Sequence, residues 1–528
     1  MKFLCAFFNF AFSTVLLAQA SMNTTLIGNI NYNRFTNDVW GYVDSLGNDY
    51  ALVGLQDGVS IVKVAADSIY EVDFVPGVNS IWRDLKTHQH YAYVTNESGD
   101  GLAIIDLAGL PDSVHFVGNY DDVFTTAHNL YIADGFAYIS GSNAAGGADI
   151  LDLALPQAPV LVGASSFSNF HDIFALDDKM YASTGSRSSL AIFNIADKSS
   201  INLIAEIQIS GNGISHNAWA SSDGNYVMTT EESIDHTVKM WDIHDLSNPE
   251  LIDEYLSFPS RLAHNTHIAG DYAYISHYAD GLRILDISDP EQMVEVGFYD
   301  TSPSNAAGFD GNWGAFPFTN SGYVYATDES LGLFVIEFNR TRASRLRGRV
   351  FESQLGTLIQ EATVEAVGLE HASRSDANGK YKLGFAESGA YTIRAYKAGF
   401  DTTMFTVDLA EGETILENIF LAVIITNVAE STPGLPETFT LAQNFPNPFN
   451  AGTTIRYTLP EQSKVSLTIY NVIGNRVTML VGEIQSAGEY RIEWDATNAT
   501  RSAVPSGVYF YRLETGGLVQ TNKMILLQ

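Results

Sequence analysis

A run of alternating apolar residues led by an aromatic ring recurs along the front of the chain, beginning at Tyr50, Tyr91, Phe136, Tyr181, Tyr226, Tyr272 and Tyr323. The intervals are 41, 45, 45, 45, 46 and 51 residues. In the clearest copy, His264-Asn265-Thr266-His267-Ile268-Ala269 precedes Tyr272-Ala273-Tyr274-Ile275. Gly281-Leu282-Arg283-Ile284-Leu285-Asp286 and Val296-Gly297-Phe298-Tyr299 follow. Four short apolar runs broken by Gly, Asp or Pro make a four-stranded meander. A period of about 40–45 residues with four strands per unit marks the blade of a β-propeller. Seven units predict seven blades.

The ends of this region predict how the circle shuts. The seventh unit stops at Phe338 after three strands, while Thr25 to Tyr32 has the pattern of a fourth strand and precedes the first unit. Pairing these two segments leaves no open sheet edge in the circle. Residues 25–338 are therefore expected to form one domain.

Beyond it the texture changes. Asn339 to Arg347 reads as a basic, exposed connector. Gly348-Arg349-Val350-Phe351, Ala362 to Val367, Gly379 to Leu383 and Tyr391 to Ala395 then alternate at period two, with turn residues between them. Asp376-Ala377-Asn378-Gly379 is short of the later ligands of a calcium loop and reads as a hairpin turn. Residues 423–437 read as a linker, with Pro433, Gly434 and Pro436. Asn444-Phe445-Pro446-Asn447-Pro448-Phe449-Asn450 opens a last β-rich module, which continues through Val465 to Gly474, Trp494-Asp495 and Gly507 to Leu513. The fold class expected is all-β, a seven-bladed β-propeller followed by two Ig-like β-sandwich domains.

The chain carries a formal charge of −33. Such a surface repels nucleic acid and anionic lipid, so neither is expected as a partner. Residues 1–20 read as a secretory signal, with Lys2, an apolar run from Phe3 to Leu17 and Ala18-Gln19-Ala20 as the cleavage site. That run is short for a membrane span and no later stretch approaches one. The only cysteine, Cys5, lies in the signal, so the remainder is expected to hold no disulfide and no Cys-based metal site.

Three family resemblances attach to these residues. The third strands, such as Gly101 to Asp106, Ala148 to Asp152 and Gly281 to Asp286, resemble those of LVIVD-repeat propellers of the choice-of-anchor B family across residues 25–338. This resemblance implies a cell-surface location. Residues 346–422 resemble a carboxypeptidase-regulatory-like sandwich. Residues 438–528 resemble the type A C-terminal sorting domain of the type IX secretion system. That last likeness implies export across the outer membrane by the type IX machinery, then release or attachment at the surface of a Gram-negative-type cell.

Aligning the units on their second strands brings Trp40-Gly41, Arg83-Asp84, His128-Asn129, His171-Asp172, His216-Asn217, His264-Asn265 and Trp313-Gly314 to the start of the innermost strands. The second strands end in Thr95-Asn96-Glu97, Thr230-Glu231-Glu232, Ser276-His277 and Thr327-Asp328-Glu329, on the same face. Trp40, Arg83, Asp84, His128, Asn129, His171, Asp172, His216, Asn217, His264, Asn265, His277 and Trp313 are thus the candidate ligand-binding residues of an axial channel mouth. Imidazole with carboxylate suits a divalent transition metal, and a mixed-charge funnel flanked by Trp suits a glycan or peptide end. The structural alternative is that the His-Asn pairs tie neighbouring blades together. Imidazoles on successive blades are expected to lie too far apart to share one ion, two adjacent blades excepted. Glu231-Glu232 is expected to be solvated at its strand end, and Asp106, Asp152, Asp242 and Asp286 to cap loops. No nucleophile elbow, zinc-protease helix, phosphate loop or dinucleotide glycine pattern is present. No catalytic residue and no cofactor are predicted, a divalent cation being the one group the funnel could take. The leading function is non-enzymatic binding of an extracellular ligand. The alternative is a propeller hydrolase or lyase acting on polysaccharide or peptide.

Overall fold

Each four-run repeat closes into an antiparallel sheet because its short turns join strands that bury both faces. The computed structural model describes residues 20–144, 147–167, 169–257, 261–303, 308–369, 371–424, 436, 438–450 and 452–527, and no helix occurs among them. The signal segment up to residue 19 and most of the expected linker, residues 425–435 and 437, lie outside the described residues. Between Ser21 and Phe338 the described residues form seven antiparallel sheets. Their innermost strands are Thr36–Val43, Leu85–His88, Asn129–Ala133, Ile173–Leu176, Ser215–Ala220, Thr266–Ala269 and Asn312–Phe316. Each packs beside the next, and the last packs against the first, so the row of sheets returns on itself.

The leading strand shuts the circle as its sequence predicts. Thr24–Ile30 runs antiparallel to Gly332–Phe338, from Thr24 opposite Phe338 to Ile30 opposite Leu333. A second contact was not anticipated. Ser21 and Met22 add a fifth strand to the sixth sheet, opposite Tyr299 and Phe298. Asn23 turns the chain between the two sheets with φ at 53°, a value Asn tolerates better than most residues, and its amide donates to Val296 O at 2.8 Å. One repeat is phased differently from the sequence alignment. Its second strand is Lys179–Ser183, so Tyr181 is the third residue and matches Tyr138 and Tyr274.

The next module is a two-sheet sandwich. Ser344–Glu352 pairs with Lys380–Phe385, and Thr363–Ala366 and Gly389–Tyr396 lie in the other sheet. Leu346, Val350, Val364, Tyr381 and Ile393 fill its core. Asp376 accepts backbone N–H groups from Asn378 and Lys380 at 2.8 Å, so its loop is the expected hairpin turn. The connector is exposed only at Asn339 and Arg340. Ala343, Ser344 and Arg345 are buried against the sixth sheet. The Arg345 guanidinium donates to Asp286 Oδ1 at 3.0 Å with both side chains at 3% and 0% exposure, and Asp286 Oδ2 accepts from Ala343 N at 2.8 Å. Asp286 still caps its loop through Ser288 N at 2.9 Å, as Asp106, Asp152 and Asp242 cap theirs. Arg347 pairs with Asp289 and Lys382 with Asp253. The basic residues that looked solvated are the ones that fasten the sandwich to the propeller.

The final unit is a separate sandwich. Thr440–Leu441, Thr453–Leu459 and Gly488–Trp494 form one sheet, and Arg476–Gln485, Ser463–Asn471, Gly507–Thr515 and Leu518–Leu526 the other. Trp494, Tyr457, Tyr511 and Ile469 are buried between them. Its opening motif is fastened by its asparagines. Asn444 donates its amide to Thr453 Oγ1 at 2.9 Å, and Asn447 Oδ1 accepts from Ile525 N at 2.8 Å.

Removing the partner of a buried charge is costly, whereas a solvated pair contributes little. Arg345→Met is expected to lower the unfolding free energy of unit 20–424 by about 3–5 kcal/mol. Arg374→Met breaks a pair at 75% and 55% exposure and is expected to cost under about 1 kcal/mol. Denaturant titration of both variants checks this, and equal losses would contradict the docked arrangement.

Candidate ligand site at the propeller axis

Strand pleating sorts the innermost residues into three layers, because alternate side chains point to opposite faces. Cross-strand register places Asp38, Asp84, Asn129, Asp172, Asn217, Asn265 and Gly314 at equivalent positions. The preceding residues, Asn37, Arg83, His128, His171, His216, His264 and Trp313, form the layer at the mouth. Two residues further in stand Trp40, Lys86, Tyr131, Phe174, Trp219, His267 and Phe316.

The middle layer is a belt that ties blade to blade. Asn129 donates its amide to Asp84 and accepts Ile173 N at 3.4 Å. Asn217 donates to Asp172 Oδ2 at 3.0 Å and accepts Thr266 N at 3.1 Å. Each amide thus reaches back one sheet and forward one sheet. Asp84 and Asp38 share the buried Lys86 ammonium, and burial raises both carboxyls, with the Asp84 charge adding to the rise at Asp38 and the Asp172 charge to that at Asp84. The inner layer plugs the channel. The rings of Tyr131 and Phe174 lie 4.8 Å apart, Phe174 and Trp219 4.5 Å, Trp219 and His267 4.6 Å, and Trp40 and Phe316 4.8 Å. The Lys86 ammonium sits 4.4 Å above the Trp40 ring. Gly41 is required here, because a Cβ would overlap the Phe316 ring.

The mouth layer packs its rings edge-on or tilted around the axis. His128 and His171 lie 4.2 Å apart by ring centroid, His171 and His216 4.1 Å, His216 and His264 4.4 Å, and His264 and Trp313 4.5 Å. Carboxylates meet this arc from outside. His128 Nδ1 is 2.5 Å from Glu97 Oε1, and that ion pair lowers the Glu97 carboxyl. His171 Nδ1 is 2.9 Å from Asp172 Oδ1. His216 Nε2 is 3.8 Å from Glu232 Oε1, and the Tyr278 hydroxyl donates to Glu232. His264 Nδ1 donates to Trp313 O at 2.5 Å. Burial raises Glu329 to about 8, helped by the nearby Asp310 and Asp328. The well enclosed by Asp84, His128, Asp172, His216, His264 and Trp313 has a volume of about 30 Å³.

Several sequence assignments move. Trp40 lies in the plug below the mouth, because the first hairpin is longer and a bulge shifts register between Thr36 and Val39. Asn37 and Asp38 hold the equivalent positions. Arg83 borders the well, but its guanidinium donates to Leu55 O at 2.8 Å and to Val78 O, so it is spent on the first sheet. His277 faces away, beside Asp280 at 3.4 Å and Ser257 at 3.2 Å, and Tyr278 takes the place facing the axis. Glu231 and Glu232 do point apart, but neither is solvated: Glu231 is buried against Lys239 and His236. The imidazoles converge where the exception for two adjacent blades allowed it. His128, His171 and Asp172, and likewise His171, His216 and Glu232, bring ligating atoms within 4.8 Å of one another. Glu97, Glu232 and Glu329 were legible as strand ends; Tyr278 was missed, and the pleat alternation after Ser276 was the signal for it.

Residues 260–301 match the LVIVD repeat model, residues 345–422 the carboxypeptidase regulatory-like domain and residues 448–517 the FlgD Ig-like domain. No curated protein matches the chain. Among solved structures, the β-propeller domain of Cps50 (Swd1) from Myceliophteria thermophila is 12% identical with a TM-score of 0.42, covering 59% of this chain and 98% of that one. The periplasmic gluconolactonase PpgL of Pseudomonas aeruginosa is 11% identical with a TM-score of 0.40, covering 50% and 86%. The computationally designed protein Ika8 is 10% identical with a TM-score of 0.40, covering 59% and 98%.

Burial holds His267 neutral and lowers it from 6.5 to about 3, and Lys86 beside it acts in the same direction. Asp172 and His264 are the other charged or titratable neighbours. Between these values the unfolded chain binds a proton that the folded chain does not, so His267 makes stability fall as pH drops from about 6.5. Glu329, raised to about 8, acts in the opposite direction between about 4.5 and 8, so the difference between variants is the readout. His267→Phe is expected to lose less stability than the parent between pH 6.5 and 4, by on the order of 3 kcal/mol. Denaturant titrations across that range check it; parallel curves would show that His267 titrates normally when folded.

Proposed function

We propose that this chain is an exported, non-enzymatic binding protein. Residues 25–338 are a seven-bladed propeller of the choice-of-anchor B type, presenting an extracellular ligand, a glycan or a peptide end, to the axial mouth. Residues 346–422 are a spacer docked rigidly beneath it. Residues 438–528 are the sorting domain that the type IX secretion machinery reads, after the 1–20 signal has taken the chain to the periplasm. The product is secreted or held on the outer-membrane cell surface.

One observation carries the binding reading. The Asn and Asp belt supplies the ties from the second sheet to the sixth, and of the arc only His128, to Glu97, and His264, to Trp313 O, bond a neighbouring blade, so His171 and His216 are not needed as glue. Those imidazoles and Trp313 instead offer ring faces and polar edges around a single opening. A well of about 30 Å³ is far below the few hundred Å³ of a small-molecule pocket, so a sugar or peptide end rests across the rim. The hydrolase or lyase reading draws on one observation, the raised Glu329 carboxyl near the mouth, which suits a general acid. Two groups acting on opposite sides of a substrate need more room than the well provides.

Glycan and peptide arrays probed with the full-length chain test the reading. His171→Ala and Trp313→Ala are expected to weaken a hit at least tenfold while leaving the substrate pool intact. Turnover of a polymer that disappears in His128→Ala would replace the reading with the enzymatic one. For the sorting role, deletion of residues 438–528 is expected to leave the protein in the periplasm of a type IX-competent cell. Appearance of the shortened chain in the medium would contradict it.

A further inference from the structure

We propose that His171, His216 and Glu232 bind one divalent transition-metal ion, zinc foremost, at the axial mouth. This rests on reading the mouth as a ligand site and names the ligand it takes first. Two imidazoles and a carboxylate are the donor set of zinc sites that keep a fourth position open, whereas calcium and magnesium favour all-oxygen sets. The ligating atoms lie within 4.8 Å of one another, and His216 Nε2 and Glu232 Oε1 are 3.8 Å apart. Neighbouring ligands of a tetrahedral ion with bonds of about 2.0–2.1 Å stand about 3.4 Å apart. A side-chain adjustment of a few tenths of an ångström closes the difference at that pair.

The outer shell is already in place for His171 and Glu232. Metal-bound histidines donate their other ring nitrogen to a carboxylate, which sets the tautomer and the ring orientation. Asp172 does this for His171, at 2.9 Å from Nδ1, and leaves Nε2 free to ligate. Asp172 is itself held by Asn217 at 3.0 Å. The Tyr278 hydroxyl holds Glu232 in the same way. His216 lines the well and is 2% exposed, with Nε2 turned to Glu232. Of the three ligands only His216 lines the well of about 30 Å³, which has room for a water-sized group and no sugar ring, so the ion sits at its rim. Glu97 and Glu232 at the mouth, in a chain of charge −33, favour a cation there.

The test uses the full-length chain stripped with chelator and titrated with zinc chloride by calorimetry, then with cobalt(II) followed by visible absorption. One zinc per chain and the intense absorption of tetrahedral cobalt are expected. Tyr278→Phe keeps the ring and removes only the hydroxyl that orients Glu232, so affinity is expected to fall 10–100-fold. Glu232→Gln is expected to fall at least as far, and His236→Gln, which lies beside Glu231 on the other face, to leave affinity unchanged. Absence of stoichiometric zinc, or an affinity unmoved in folded Glu232→Gln and Tyr278→Phe, overturns the site. Array binding measured on stripped and zinc-loaded protein keeps the two readings apart. A hit without zinc affinity sinks the metal alone, and zinc affinity without a hit sinks the glycan or peptide assignment alone.

Discussion

Asparagine amides that reach one sheet back and one sheet forward are the interaction on which the circle depends. A sheet of four short strands has two apolar faces and cannot stand alone. Apolar packing brings sheets together without fixing their rotation, because it is not directional. Asn129 and Asn217 add direction. Each bonds the carboxylate of the preceding sheet and the backbone N–H of the following one. Hydroxyls at the second-strand ends repeat the tie one residue further out, as Thr95 bonds His128 O at 3.2 Å and Thr230 bonds His264 O at 2.5 Å.

With belt and plug in place, the mouth layer is left for other chemistry. Rings in edge or tilted contact at 4.1–4.5 Å around an axis hold one another in position, and carboxylates at Glu97, Asp172 and Glu232 aim their nitrogens. Burial separates the protonation states along the arc. His128 is raised despite its burial, by Glu97 and Asp172, while His216 and His264 are kept neutral by desolvation, His264 at about 4. The surroundings of a single arc therefore favour the protonated imidazole at His128 and the neutral one at His216 and His264.

Much of this was legible from sequence and some was not, for identifiable reasons. Period and strand count come from alternation, and the pairing of Thr24–Ile30 with Gly332–Phe338 followed from counting strands. The His-Asn dipeptides were rightly read as a polar ring, but reading each pair as one unit hid that pleating sends Asn into the belt and His to the mouth. The same oversight placed His277 where Tyr278 stands. Trp40 was misassigned because the first hairpin is longer and bulged, and alignment on the second strand cannot see a bulge. The docking of the sandwich was invisible because an arginine that pairs with a buried aspartate 59 residues away in sequence looks like any solvated arginine.

The division of labour between belt and mouth is open to one direct measurement, the denaturant stability of Asn217→Ala beside that of His171→Ala. Asn217→Ala strands a buried carboxylate oxygen and a buried N–H, and should cost about 3 kcal/mol. His171→Ala removes a ring at the rim and should cost under half as much. The reverse order would mean that the histidines hold the blades together and that the mouth has no chemistry to spare.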